Sequence, residues 1–208
     1  MHNSHQTLTL ATTRTGTTGS PSQGVRPVIR EINAFDLLQF GGWEANWTDS
    51  CALLTDMLNA PLPSHVGQYT QHAGVRALRV AARRLWITAG VGQAPMAALR
   101  GHSNSQIGVV TDLSHSRVLF RVAGEGVRAL MSTLLPVDFD ASACARYSVV
   151  QSHIHQVPVL AAAFGEEERA NVGFDLYVPR TFAKSIHVWI VDRGAVQASS
   201  EAWSEPSP

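Results

Sequence analysis

The predicted secondary-structure elements occur in the same order in the two halves of the chain, and this repetition is the strongest constraint on the fold. Each half begins with an extended apolar stretch that passes through glycines into a helix, and further strands follow. The clearest helix places Val127, Leu130, Met131 and Leu134 at i, i+3, i+4 and i+7 before Pro136 ends it. This order predicts an α+β fold made of two similar halves of mostly antiparallel sheet with packed helices.

The remaining elements are predicted from hydrophobic periodicity and turn residues. In the first half, Thr48 is the predicted N-cap of a helix that must end before Pro61. Gly90 to Gly108 is the predicted linker, with room for one helical turn. The predicted ranges are 28–40 (extended), 48–59 (helix), 75–80 and 84–88 (strands), then 118–122, 147–151, 157–164 and 174–178 (strands), with helices at 127–134 and 181–191.

The predicted folded body covers residues 26–194, with halves at about 26–100 and 106–194. Residues 1–25 are rich in threonine and serine and contain no acidic residue, so they cannot bury enough apolar surface to offset the entropy of ordering. We therefore expect a flexible arm at 1–25, and a polar tail at 195–208.

Charge and apolar patterning exclude several classes of function. Sixteen basic and sixteen acidic residues give a formal net charge of zero, so nothing attracts the whole chain to nucleic acid or to an anionic membrane. No apolar run is long enough to span a bilayer, and the first residues do not resemble a secretory signal. With Cys51 and Cys144 predicted to be free thiols, these features predict a cytoplasmic protein.

The segment from Gly124 to Ala129 fits the pattern G-x-G-x-x-A between a strand and a helix. This is the local context of a dinucleotide-binding loop, in which glycines let backbone N–H groups approach a pyrophosphate. Glu125 would place a carboxylate in that loop, and no acidic residue stands at the end of a second strand to bind a ribose. A tight strand-to-helix turn is therefore the favoured interpretation, and no nucleotide is assigned.

Two other clusters have the composition of a catalytic or metal site. His153 and His155 would place two imidazoles on one strand face, but no local cysteine or carboxylate supplies a third ligand, which favours an exposed hairpin edge. Asp112, Ser114 and His115 lie within four residues, whereas a catalytic triad requires convergence of distant residues in space. We therefore predict no catalytic, cofactor-binding or metal-binding residue in this chain.

Trp43 and Trp47 flank the entry into the first helix. Core packing is the default role of such tryptophans, and contact with a partner protein is the alternative, because tryptophan is favoured at buried interface anchors. These two residues are the candidate partner interface.

The segment from Val110 to Leu130 carries a family resemblance, through Asp112-Leu-Ser-His-Ser followed by a strand, two glycines and a helix. It resembles the opening of the aminomethyltransferase (T-protein) N-terminal domain, and within that superfamily it is most similar to the gamma subunit of heterotetrameric sarcosine oxidase. The likeness continues in Thr133-Leu-Leu-Pro-Val-Asp-Phe, Tyr147-Ser-Val-Val-Gln and Phe174-Asp-Leu-Tyr-Val-Pro-Arg. It covers about residues 28–193 and is looser in the first half.

The resemblance implies a non-catalytic subunit of a flavin-dependent complex that oxidises sarcosine to glycine. In such complexes the alpha, beta and delta subunits hold FAD, FMN, NAD, tetrahydrofolate and zinc, and the gamma subunit holds none of them. Two alternatives stay open at this point. The chain could be the gamma-type subunit of a related N-methyl amino acid dehydrogenase such as N-methylglutamate dehydrogenase, or a free-standing folate-binding aminomethyltransferase-like protein.

Overall fold

A computed structural model describes residues 27–102, 107–165 and 172–194, together with the backbone of 197–202. In chain order its elements are β1 (Val28–Asn33), β2 (Phe35–Gly42), α1 (Trp47–Leu58), β3 (Tyr69–His72), β4 (Val75–Ala81), β5 (Arg84–Gly90), α2 (Ala94–Gly101), β6 (Gly108–Asp112), β7 (Arg117–Ala123), α3 (Val127–Leu134), β8 (Val149–Ile154), β9 (Val157–Phe164), β10 (Gly173–Pro179), α4 (Ala183–Gly194) and β11 (Gln197–Ala202). No helix in these ranges is long and apolar enough to cross a membrane.

The predicted α+β class is confirmed, and the order β-β-α-β-β-β-α occurs twice, from β1 to α2 and from β6 to α4. One sheet has the order β11-β1-β7-β10-β9-β8 and the other β3-β4-β5-β2-β6. The first strand of each half therefore lies in the sheet of the other half, β1 beside β7 and β6 beside β2. This exchange interlocks the halves predicted at 26–100 and 106–194, and the change of sheet after β1 occurs at Ala34, whose φ is 58°.

Four layers follow from the distribution of the core. Between the two sheets lies an inner core that includes Ile32, Leu37, Leu78 and Leu119. A second core packs α3 and α4 on the outer face of the six-stranded sheet, and a third packs α1 and α2 on the outer face of the five-stranded sheet. Because both faces of each sheet are covered, the central strands read as nearly continuous apolar runs.

The predicted N-cap of the first helix and the predicted linker differ from the structure. Helix α1 begins at Trp47, so Thr48 is not its N-cap; the Ser50 N–H donates to the Asn46 carbonyl (2.9 Å), which starts the helical bonding two residues earlier. The predicted linker contains a complete helix, α2, because Met96 and Leu99 are buried against the sheet. The predicted linker also ends on the first residue of strand β6, Gly108.

We expect Gly108→Ala to lower the free energy of unfolding by about 1–3 kcal/mol, the usual cost of overpacking. A Cβ at Gly108 would lie 2.5 Å from the Gly41 carbonyl oxygen and 2.6 Å from the Phe40 ring, and a backbone oxygen cannot move aside as a flexible side chain can. The matched control is Gly101→Ala, where a Cβ meets nothing within 4 Å. Urea unfolding of both variants would test this, and equal stabilities would contradict it.

Candidate functional site

The most heavily charged buried feature is an ionic network between the two sheets. Asp175 on β10 accepts hydrogen bonds from Arg121 on β7 (Nε to Oδ1, 2.8 Å; Nη2 to Oδ2, 3.0 Å) and from Arg76 on β4 (Nη1 to Oδ2, 2.8 Å). Asp175 and Arg76 are fully buried. The Gln71 amide oxygen accepts two further bonds from Arg76, whose guanidinium lies 4.6 Å from the centre of the Tyr69 ring. The network joins one sheet to the other.

The electrostatics of this network suit a structural role. Burial alone would raise the pKa of Asp175, but the charges and hydrogen bonds of Arg121 and Arg76 hold the pKa below its ordinary value. Burial raises the pKa of the Tyr69 phenol to about 12. A carboxylate held ionised by two guanidiniums, and closed to solvent, is a poor general acid or base at neutral pH. We therefore assign this network to stability.

A second polar cluster lies where the chain passes from one sheet to the other, between β6 and β7. It contains Asp112, Ser114 and His115, the cluster considered as a triad from the sequence. The Asp112 carboxylate accepts the Ser114 N–H (2.8 Å), and the Ser114 hydroxyl accepts the Leu37 N–H (2.9 Å). Arg100 donates to Asp112 (2.8 Å) and also pairs with the buried Asp36. Although its partial burial opposes this, hydrogen bonds from Ser114 and Arg100 lower the pKa of Asp112 to about 2.

These three residues therefore belong to the end of β6 and its connection to β7, and they do not form a triad. His115 is exposed, and its backbone carbonyl accepts the Arg180 Nε–H (2.7 Å). The hydrogen bonds described for the Ser114 hydroxyl involve the Leu37 backbone and Arg100, and no imidazole. A cleft of about 290 Å³ opens beside the cluster, at the lower end of the usual size range of small-molecule sites. Its lining carries both charge signs, from Glu31, Asp36, Arg100 and Arg180.

The glycine segment at 124–126 is a tight strand-to-helix turn. Gly124 and Gly126 have φ values of 112° and 77°, and Gly126 directly precedes α3. The Val127 N–H donates to the Gly124 carbonyl (3.1 Å), so this turn directs one of its N–H groups inward. The geometry agrees with the favoured interpretation from the sequence.

The histidine pair forms a hairpin edge, as predicted, but it does not share one strand face. His153 lies on the edge strand β8, whereas His155 lies in the following turn with a φ of 52°. The His155 ring instead packs 4.3 Å from the Trp189 ring. Within the described ranges, no group of three or more His, Cys, Asp or Glu side chains is placed to hold a metal ion.

Both thiols are poorly suited to nucleophilic catalysis. Cys144 is buried and Cys51 is half-buried, and desolvation raises the pKa of each thiol above its ordinary value. Because the thiolate is the reactive form, a raised pKa reduces reactivity. The nearby Arg79 and Arg128 act in the opposite direction but do not reverse the shift.

The structure separates the two tryptophans of the candidate partner interface. Trp47 opens α1 and packs against Phe40, with ring centroids 6.5 Å apart, beneath the Arg79 guanidinium at 5.3 Å. Trp43 is 49% exposed beyond the end of β2. Trp47 is therefore a packing residue, and Trp43 is the member of the pair that a partner protein can reach.

The inter-sheet network was not predicted from the sequence, although two charged residues inside apolar runs indicate it. Arg121 interrupts the apolar run Val118–Val122, and Asp175 interrupts Phe174–Val178. A charged residue inside a strand covered on both faces is buried, and a buried charge requires a partner. Periodicity gives no means of pairing residues 54 positions apart.

Comparison with known proteins places the fold. No protein-family model matches the chain, and no curated protein does. A chain of the heterotetrameric sarcosine oxidase from Corynebacterium sp. U-96, in complex with pyrrole 2-carboxylate, superposes with a TM-score of 0.71 at 19% identity over 80% of this chain and 83% of that one. This chain therefore shares the fold of that chain.

A second solved structure agrees with that fold. The glycine cleavage system aminomethyltransferase T from Bartonella henselae superposes with a TM-score of 0.57 at 18% identity. The chain has an aminomethyltransferase-like fold. The match covers 86% of this chain but only 48% of the transferase, so this chain spans about half of that enzyme's length. The sarcosine oxidase chain, by contrast, is matched over most of its length and is about as long as this one.

Proposed function

We propose that this chain is a non-catalytic, gamma-type subunit of a heterotetrameric flavin-dependent oxidase of the sarcosine oxidase type. The complex would convert sarcosine to glycine by oxidative demethylation, with folate-linked capture of formaldehyde on other subunits. The observation that carries this proposal is the structural match over 80% of this chain and 83% of a chain of such an oxidase. Its partners would be the alpha, beta and delta subunits, in the cytoplasm.

The side-chain chemistry supports a role without catalysis. The two strongest carboxylate–guanidinium clusters, around Asp175 and around Arg100, are used to join β-strands and sheets. Burial makes both thiols less reactive. In this proposal FAD, FMN, NAD, tetrahydrofolate and zinc are bound by the other subunits. This chain provides a contact surface for those subunits and stabilises the complex.

We expect Ala substitution of His115, Cys144, His153 or His155 in the assembled complex to leave turnover per flavin within about threefold, which is under roughly 0.7 kcal/mol of barrier. The reason is that, among the residues that the structure describes, none of these groups is placed beside the partners of a catalytic acid, base or nucleophile. Steady-state kinetics normalised to flavin content would measure it. A hundredfold loss in any one variant that still assembles with full flavin would place catalysis on this chain.

We expect Trp43→Ala to leave the stability of the isolated chain within about 0.5 kcal/mol and to weaken assembly by about 2 kcal/mol, the size of a tryptophan hot spot. Trp43 is half-exposed, so its loss creates no cavity. Trp47→Ala is the matched control: it removes packing against Phe40 and should destabilise the isolated chain itself. Urea unfolding measures the stability of the isolated chain, and sedimentation of the reconstituted complex measures assembly. Normal assembly of the Trp43→Ala variant would show that Trp43 is not part of the interface.

A further inference from the structure

Strand β6 is the outermost strand of its sheet, and no strand in the described part of the chain pairs with its outer edge. The Leu113 N–H donates to the Leu37 carbonyl (2.8 Å), which fixes the register of the ladder with β2. Because bonded and non-bonded pairs alternate in an antiparallel ladder, Val109 and Thr111 bond to β2. The N–H and C=O groups of Val110 therefore point outward, away from β2.

From Gly108 to Thr111 this edge carries no charged residue and no proline, two of the features that protect edge strands against further pairing. The strand reads Gly-Val-Val-Thr-Asp, with no lysine or proline, and the Val109 side chain is 45% exposed. Such an edge is a template for another strand. In the other sheet, the equivalent strand β1 is not outermost, because β11 pairs with it in parallel.

We infer that residues Thr7 to Thr13 of this same chain, which lie outside the described residues, add to β6 as a sixth strand parallel to it. Their sequence is Thr-Leu-Thr-Leu-Ala-Thr-Thr, without charge, proline or glycine. Alternation puts Leu8 and Leu10 on one face, where they would cover Val109. The arm cannot build a core of its own, and β6 supplies the partner that it lacks.

The length of chain before β1 permits this arrangement. Strand β1 carries the chain in six residues, about 20 Å, from Pro27 to the corner where Asp36 and Asp112 both pair with Arg100. Residues 14–26 number thirteen and can span up to about 43 Å when extended. This is more than the length of β1, so the segment is long enough to place Thr13 at the Asp112 end of β6. Parallel pairing then runs from Asp112 back to Gly108, as β11 runs beside β1.

Residue-resolved amide exchange of the full chain and of a chain lacking residues 1–24 would test this inference. The Val110 amide should exchange at least tenfold faster after the deletion, whereas the Thr111 amide, bonded to β2, should not change. A peptide of residues 5–14 added to the shortened chain should restore the protection of Val110. Unchanged exchange of Val110 on deletion would overturn the inference, and so would protection found only in a dimeric fraction.

Two proline variants test the same pairing by changing an edge strand instead of the N-terminal segment. Val110→Pro removes an outward donor without breaking a bond to β2, and His153→Pro does the same on β8, the edge strand of the other sheet. In the full chain, Val110→Pro should accelerate amide exchange in residues 7–13 at least tenfold, and His153→Pro should not. Equal exchange in the two variants would contradict the assignment.

Discussion

Replacing Asp175 by asparagine will lower the free energy of unfolding by about 3–5 kcal/mol, the cost of removing one partner from a buried ionic network. Asparagine has nearly the same shape, but it removes the charge that compensates Arg76 and Arg121 between the sheets. Arg76 cannot regain water without opening the inner core, because it is fully buried. Since whole domains are stable by about 5–15 kcal/mol, this one change consumes a large part of the total.

Equilibrium unfolding in urea measures the effect, and Glu44→Gln is the matched control. Glu44 also pairs with an arginine, Arg83 at 3.4 Å, but 83% of its side chain is exposed, so its loss should cost less than about 1 kcal/mol. Similar losses for the two variants would contradict the assignment of the network.

The pH dependence of stability offers a second measurement on the same variant. The pKa of Asp175 is lower in the folded chain than its ordinary value near 4, so its contribution is complete above that value and declines as the pH falls toward the folded pKa. The wild-type chain should therefore lose stability below about pH 4 more steeply than the Asp175→Asn variant, whose position 175 cannot titrate. Parallel curves would show that Asp175 does not titrate in this way.

Leu130→Ala will lower the free energy of unfolding by about 2–5 kcal/mol through lost burial and the cavity that remains. Leu130 lies on the apolar side of α3 and is buried in the outer core, beside the fully buried Met131. Val188→Ala, on the exposed side of α4, is the control and should change stability by no more than about 0.5 kcal/mol. If Leu130→Ala left the free energy of unfolding unchanged, Leu130 would not be part of the packing between α3 and the sheet.

Local patterns were sufficient where one element carries its own signal. The stripe on α3 predicted that helix residue by residue, and the run from Val157 to Phe164 predicted β9 with the observed bounds. Strands β3 and β6 have only four and five residues, with polar side chains among them, and neither was predicted. Strand β6 is paired with β2, which is distant in the sequence. Strand β3 is paired with the adjacent β4, but its four mostly polar residues leave no apolar pattern of their own.

The arrangement of the elements required information that no local window contains. The exchange of β1 and β6 depends on pairings such as Glu31 with Phe120 and Phe40 with Val110, each about 70 to 90 residues apart. The same holds for the candidate site: adjacency in sequence suggested Asp112, Ser114 and His115 as a cluster, whereas the structure joins Asp112 and Asp36 through Arg100. The resemblance to the gamma subunit, in contrast, anticipated the aminomethyltransferase-like fold.

Affinity purification of the tagged full chain from its native source, followed by absorption spectroscopy and electrophoresis of the eluate, tests the proposed subunit role most directly. The account predicts a yellow eluate in which this chain accompanies larger chains and the flavin absorbance follows the complex through gel filtration. The Trp43→Ala chain should recover less of that complex. A colourless monomer from cells that contain the oxidase would contradict the account.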